Sequence, residues 1–202
     1  MKLNKNILLN TIAIILIIFF ILRTTYLLQE EILVHIFWLC NHAMLIMAIA
    51  ILFRNSFWLL AEISIASVGV IIWILDLISK LLFNFHIFGS TAYLFPIVSE
   101  GFFFVTSMVH LLSIPLGIWA LFLIGKKSPS AWKGSLIHAI ILFPFILYFK
   151  DYNLNCFLKP CISQIPNFTL YPLIFILIYF ILFVIPINKG LNKLLKKSKI
   201  NQ

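Results

Sequence analysis

Six long apolar runs constrain the fold of this chain more than any other feature. They lie at about residues 7–22, 33–53, 57–79, 102–124, 135–149 and 170–187. A helix needs roughly 20 apolar residues to cross about 30 Å of hydrocarbon at 1.5 Å per residue. The runs approach that length and lack the period-2 alternation of a membrane β-barrel strand. The sequence therefore predicts an all-α polytopic membrane protein, a bundle of six transmembrane helices.

The composition agrees with this fold class. Hydrophobic residues make up 63% of the chain and charged residues only 10%, whereas a soluble domain has roughly 25% charged residues. An ordinary water-soluble enzyme is therefore excluded. We predict one transmembrane domain over residues 1–187 and a basic tail over 188–202. The first run follows Lys2 and Lys5 like a secretory signal, but no small-residue cleavage site follows it, so we interpret it as a retained helix.

The basic residues are concentrated at one end of the predicted bundle. Eleven of the 15 Lys and Arg fall in the N-terminus, the second loop, the fourth loop and the C-terminal tail. Because Lys and Arg are retained on the cytoplasmic side, both termini are predicted to be cytoplasmic, in the plasma (inner) membrane. The basic tail suits an anionic lipid leaflet. It comes with no groove-reading element, so the predicted partners are membrane lipids and no nucleic acid; the sequence does not indicate oligomeric partners.

The third and fourth helices each carry a polar stripe that we predict to face the bundle interior. On the third helix the stripe has spacings of 4, 3, 4 and 3, and it consists of Glu62, Ala66, Gly69, Trp73 and Asp76. Alternatively, Asp76 pairs with Lys80, and Glu62 lies at the inner headgroups near Arg54. On the fourth helix Phe103, Thr106, Ser107, Ser113 and Gly117 surround His110. Polar groups inside a span usually face other helices, so His110 is either a reactive group or a helix-to-helix hydrogen-bonding residue.

The second helix has the densest cluster of polar and reactive residues, namely His35, Trp38, Cys40, Asn41 and His42. Counted from the outer ends of their helices, Cys40 and His110 share a depth, so the two side chains could meet. Cys40 and His42 lie some 200° apart around a helix and cannot both face one narrow site. We predict Asn41, His42 and Trp73 as binding residues. Alternatively, Cys40 serves only as a small buried hydrophobic residue.

Two outer loops are the remaining candidates for a site. Asn153 and Asn155 either bind a lipid headgroup through their amides or only turn the chain. Cys156 and Cys161 either form a local disulfide or remain free. The aromatic stretch at residues 81–96 is predicted at the outer interface, with a re-entrant loop as the alternative. His86 and His138 are predicted to be structural or interfacial.

Cysteine and histidine together suggest nucleophilic chemistry. A thiolate attacks, an imidazole within about 3 Å serves as its base, and a third group orients the imidazole. We predict Cys40, His110 and Asp76 in these roles, with Asn155 as the alternative orienting group. No H-x-x-x-H or C-x-x-C pair marks a metal site, and no cofactor is predicted.

The order of several motifs resembles a known family. The Leu39–Cys40 pair, Arg54, His110, the segment DYNLNCFLKP and the segment NFTLYPL are similar to those of the YwaF-like bacterial integral membrane proteins. That family is distantly related to a eukaryotic membrane acyltransferase thought to use one Cys and one His to move acyl chains between phospholipids. The resemblance spans most of residues 33–175. It implies acyl transfer on a lipid or acyl substrate by Cys40 and His110.

Two other function classes stay open. Imidazole and carboxylate groups in the outer half suit a transition metal or a small solute; they are His35 or His42, Asp76, Glu100 and His110. A non-enzymatic membrane component is the other class. A close approach of the Cys40 sulfur to His110, facing a lipid-sized cavity, would favour lipid chemistry over these alternatives.

Overall fold

The computed structural model describes residues 4–95, 99–160 and 168–198. Within these ranges it shows an all-α bundle of seven helices, of which the last two are continuous, so that there are six helical segments. The helices are α1 (Lys5–Gln29), α2 (Leu39–Leu52), α3 (Ser56–Phe83), α4 (Glu100–Ile124), α5 (Trp132–Tyr148), α6 (Tyr171–Tyr179) and α7 (Ile185–Ser198). A π-helical turn, Phe180–Val184, joins α6 to α7 into one continuous rod. The predicted fold class is confirmed.

The outer surface of this bundle suits hydrocarbon. Four helices (α1, α3, α4 and α5) and the rod of α6 and α7 are long and apolar enough to cross a membrane. Large apolar side chains are exposed along them, including Ile14, Ile18, Leu173 and Leu177. Exposed apolar surface on this scale is incompatible with a water-soluble monomer. The chain is therefore membrane-embedded, and the side on which its termini lie stays a prediction.

The second predicted span is wrong in its first third. Residues Leu33–Phe37 form a 3-10 helix, Trp38 is extended, and α2 has 14 residues, which is only about 21 Å at 1.5 Å per residue. A side chain from a distant loop bonds to the backbone on both sides of this break. Asn155 accepts a hydrogen bond from the Leu39 N–H at 2.8 Å and donates one to the Phe37 carbonyl at 3.3 Å. Asn155 thus satisfies backbone groups that a continuous helix would pair internally.

The two ends of the bundle differ in character. At one end the guanidinium of Arg54 donates to the Asn10 side chain of α1 at 2.7 Å, and Asn192 of α7 accepts from the Ser128 N–H at 2.8 Å. We call this the basic end, because the turn containing Lys126 lies there too. The opposite end holds the connections 30–38, 84–95 and 149–160, and we call it the loop end.

Close helix packing occurs where small residues permit it. A Cβ atom added to Gly117 of α4 would lie 2.8 Å from the Met47 sulfur and 3.3 Å from the Ile63 side chain. The predicted inward stripe of α3 is buried at Glu62, Ala66, Trp73 and Asp76. Gly69 departs from it, since a Cβ atom there meets nothing within 4 Å. Gly69 instead opens onto a cavity.

Candidate functional site

A cavity of about 470 Å³ lies toward the loop end of the bundle. Residues of α2, α3, α4, α5 and α6 line it, together with parts of the 84–95 and 149–160 connections. Its walls are mainly apolar, and the side chains with polar or sulfur atoms are Trp38, Cys40, Trp73, Ser90, His110, Asn155, Cys156, Tyr171 and Tyr179. The structure therefore brings Cys40 and His110 to one cavity.

The position of Cys40 is set by the start of α2. Cys40 is a free thiol at the second residue of the helix, and the backbone N–H groups of Cys40 and Asn41 interact with its sulfur. Counted from the basic ends of their helices, Cys40 lies about 18 Å above Leu52 and His110 about 21 Å above Ile124. The two depths thus differ by about 3 Å, and the predicted count from Leu33 began outside α2.

The imidazole of His110 is held by two neighbours. Its Nδ1 lies 2.8 Å from the Thr106 carbonyl oxygen, and a carbonyl only accepts, so Nδ1 carries the proton and Nε2 is left as an acceptor. The ring stacks on Trp73 with centroids 4.0 Å apart and planes 11° apart. The prediction that Asp76 or Asn155 orients this ring is therefore wrong, because a backbone carbonyl one helical turn away already does so.

Asp76 instead anchors the 84–95 connection. One carboxylate oxygen accepts from the N–H groups of Phe88 and Gly89, at 2.7 and 3.1 Å. The other accepts from the N–H and hydroxyl of Thr91, at 2.8 and 2.7 Å, and contacts His86 Nδ1 at 3.1 Å. The chain after α3 thus folds back against the buried carboxylate.

The two alternatives for the α3 carboxylates are also wrong. Lys80 bonds to the Asn84 side chain at 2.9 Å and not to Asp76. Glu62 is fully buried rather than interfacial, and it contacts His138 Nδ1 of α5 at 2.8 Å.

The asparagines of the 149–160 connection turn the chain. Asn153 has φ +43° and Asn155 φ +58°, in the left-handed region that asparagine tolerates. The Asn153 side chain accepts from the N–H groups of Leu158 and Lys159. Of the two predicted binding residues, only Asn155 reaches the cavity. Cys156 is disulfide-bonded, and Cys161 lies outside the described residues.

The other three predicted binding residues, Trp73, His42 and Asn41, do not share one site. Trp73 lines the cavity and donates to the Tyr93 hydroxyl at 3.1 Å. His42 lines a separate apolar groove of about 510 Å³ beside His138. Cys40 and His42 thus face different spaces, as their angular separation predicts. Asn41 is buried between them and donates to the His35 carbonyl at 2.7 Å.

Arg23 is the functional candidate that the sequence reasoning missed. It is only 3% exposed, donates to the Thr106 hydroxyl at 2.5 Å and lies 4.4 Å from the Phe102 ring. Burial and the charge of Arg23 lower the pKa of His35 to about 4, so that imidazole is neutral at neutral pH. The available signal was a lone arginine within the last two turns of an apolar helix.

No protein-family model, curated protein or solved structure matches this chain. The resemblance to the YwaF-like proteins therefore stays a prediction. Within residues 4–95, 99–160 and 168–198, no group of three or more His, Cys, Asp or Glu side chains could hold a metal ion. The metal alternative thus lacks a ligand set in the described part of the chain.

Proposed function

We propose that this membrane protein holds the apolar chain of a lipid in the 470 Å³ cavity and transfers its acyl group through Cys40 and His110. The observation that carries the proposal is that both residues line the same cavity. The resemblance to a Cys/His acyltransferase family adds to it.

The cavity has the properties of a lipid site. Its volume falls within the range of about 300–1,000 Å³ that is usual for ligand pockets. Apolar walls suit a hydrocarbon chain, and a few polar groups suit the ester that carries it. Gly69 and Ala66 of α3 leave room on one side, while Phe175 and Phe183 of the α6–α7 rod line the other.

The proposed reaction has two balanced steps. The Cys40 sulfur attacks the ester carbonyl of the donor lipid, and His110 Nε2 accepts the thiol proton. The tetrahedral intermediate expels the lipid oxygen, which takes the proton from His110, leaving an acyl thioester on Cys40. The hydroxyl of an acceptor lipid then attacks the thioester while His110 takes its proton. Collapse restores the thiol with that proton.

Several contacts support these roles. The N-terminus of α2 favours negative charge, so it stabilises the Cys40 thiolate as it forms. Thr106 and Trp73 are positioning residues, because the carbonyl of one fixes the tautomer of His110 and the ring of the other fixes its plane. The free Nε2 is then the nitrogen that can accept the proton.

The test is covalent trapping in proteoliposomes. The probe is a phospholipid with an alkyne-tagged acyl chain, and the readout is hydroxylamine-sensitive labelling of the protein. We expect labelling of the wild type and none of Cys40→Ala. His110→Gln should label at least about 100-fold more slowly, the usual contribution of a general base. Met44→Leu is the matched control, because Met44 is a buried α2 residue that does not line the cavity.

Each contrary result removes a defined part of the proposal. Equal labelling of the wild type and Cys40→Ala excludes the covalent step, and so does a wild type that forms no thioester. Equal rates for His110→Gln and the wild type exclude His110 as the base. The double variant should be little slower than either single one, because residues that act as one unit are not additive.

A further inference from the structure

Arg23 is a buried cation without a carboxylate partner. All six Asp and Glu residues of the chain lie within the described ranges. The two that are fully buried, Glu62 and Asp76, contact His138 and His86. Among the described residues no carboxylate forms an ion pair with Arg23. An uncompensated buried charge is unfavourable unless a ligand neutralises it.

Arg23 belongs to a cluster that holds other unpartnered polar atoms. In the described part of the chain, Arg23 Nε, His35 Nδ1 and Trp38 Nε1 are buried without a hydrogen-bond partner. The rings form one cluster: His35 lies 5.3 Å from Trp38 and 5.8 Å from Tyr93, and Trp38 lies 5.4 Å from Tyr93. Arg23 interacts with the Tyr93 side chain. Buried polar groups in native proteins are nearly always paired, so several in one cluster indicate a ligand.

The chemistry of these atoms selects an acceptor with negative charge. The guanidinium and the indole nitrogen can only donate, and a neutral imidazole donates from one nitrogen. Water would satisfy such donors and leave the charge of Arg23 uncompensated. Carboxylate and phosphate oxygens do both, and they form strong charge-assisted hydrogen bonds with arginine.

We propose that Arg23, His35 and Trp38 bind the oxyanion of an amphiphile, a carboxylate or a phosphate, whose chain occupies the cavity. Trp38 connects the two places, because it belongs to the cluster and also lines the cavity. Placing the chain in the cavity rests on the proposed function. The oxyanion site itself rests on Arg23, His35 and Trp38 and does not require acyl transfer.

The depths of the groups agree with this placement. Arg23 lies six residues from the end of α1, about 9 Å below the loop end, and His110 lies ten residues into α4, about 15 Å below it. A head group at Arg23 therefore puts the first atoms of its chain some 6 Å deeper, at the level of His110. The charge of Arg23 also acts on both Cys40 and His110.

The test compares binding of defined probes to the full-length protein in zwitterionic nanodiscs. The probes are oleate for the carboxylate, phosphatidylglycerol for the lipid phosphate, inorganic phosphate for the free anion, and phosphatidylcholine for a neutral head. We expect oleate or phosphatidylglycerol to bind at least about ten times more tightly than phosphatidylcholine. Tight binding of oleate identifies a carboxylate as the oxyanion, and tight binding of phosphatidylglycerol identifies a lipid phosphate. Binding of inorganic phosphate alone would overturn the placement of a chain in the cavity.

Three variants separate the site from its surroundings. Arg23→Gln should weaken binding of the anionic probe at least about tenfold, and Trp38→Phe, which removes one donor and keeps the ring, by severalfold. Arg54→Gln at the basic end is the charge-matched control and should bind like the wild type. Arg23→Gln should also unfold at no lower temperature than the wild type without ligand, because it removes an uncompensated charge.

The outcomes distinguish this inference from the proposed function. Unchanged affinity of Arg23→Gln, or equal binding of anionic and neutral lipids, overturns the oxyanion site and indicates that water fills the cluster. Cys40→Ala should keep the anion preference. If thioester labelling fails while that preference persists, acyl transfer is wrong and the oxyanion site stands.

Discussion

Replacing Asp76 by asparagine should loosen the 84–95 connection without changing the shape of the side chain. Asparagine has one oxygen where aspartate has two, so its amide nitrogen must face some of the five contacts that Asp76 makes. The least unfavourable orientation keeps the oxygen toward Phe88 and Gly89. The Thr91 N–H then loses its acceptor, while the Thr91 hydroxyl and His86 can rearrange to accept from the amide.

The magnitude follows from that count. One unsatisfied buried N–H and the loss of charge assistance together amount to about 2 kcal/mol. For a chain of this size that corresponds to a fall in Tm of roughly 4–8 °C. Asp76→Leu leaves all three N–H groups without an acceptor and should cost at least about 3 kcal/mol.

The assay is thermal unfolding in detergent, with hydrogen exchange at residues 86–95 as the local readout. Asp151→Asn is the matched control, because Asp151 is exposed and should shift the free energy of unfolding by less than about 0.5 kcal/mol. If Asp76→Asn unfolds at the same temperature as Asp151→Asn, and its hydrogen-exchange rates stay at the wild-type level, the carboxylate does not organise this connection.

Two further predictions concern packing and capping. Asn155→Ala removes a cap of α2 and should lower the free energy of unfolding by about 1 kcal/mol. Maleimide should then modify Cys40 faster than in the wild type. An unchanged modification rate would contradict the role of Asn155 as a cap. Gly117→Ala forces a Cβ atom against Met47 and should cost about 1–3 kcal/mol, whereas Gly69→Ala enters open space and should gain about 0.5–1 kcal/mol from helix propensity. Thermal unfolding of the two glycine variants decides this, and the reverse order would refute the packing.

Counting residues from helix ends gives only approximate depths, because the count for Cys40 started at Leu33, which lies outside α2. Cys40 and His110 were matched in depth by counting, and they line one cavity. The same count would have paired Glu62 with His138, since each lies six residues into its helix from the basic end. Depth alone did not show which faces meet, and a charge near a predicted boundary was therefore assigned to the headgroups.

Features that depend on distant or irregular segments could not be read from the sequence. The apolar residues 33–38 resemble those of α2, and Asn155, 116 positions away from Leu39, bonds to the backbone on both sides of the break. The partners of Asp76 lie in a connection without periodicity, so no spacing rule reaches them. Likewise, a small-residue stripe indicated that Gly69 faces inward but not that the neighbouring helices leave a gap there.

The Asn155 cap also bears on the order in which the chain assembles during synthesis. When α2 enters the membrane, the partner of its Leu39 N–H has not yet been made, because that partner follows α5. An unpaired backbone N–H is unfavourable in hydrocarbon. The first turn of α2, which carries the Cys40 thiol, therefore does not reach its final conformation until the fifth helix has inserted. Formation of the cavity wall at Cys40 is therefore a late event, and chains truncated before residue 155 should retain a reactive, unprotected cysteine.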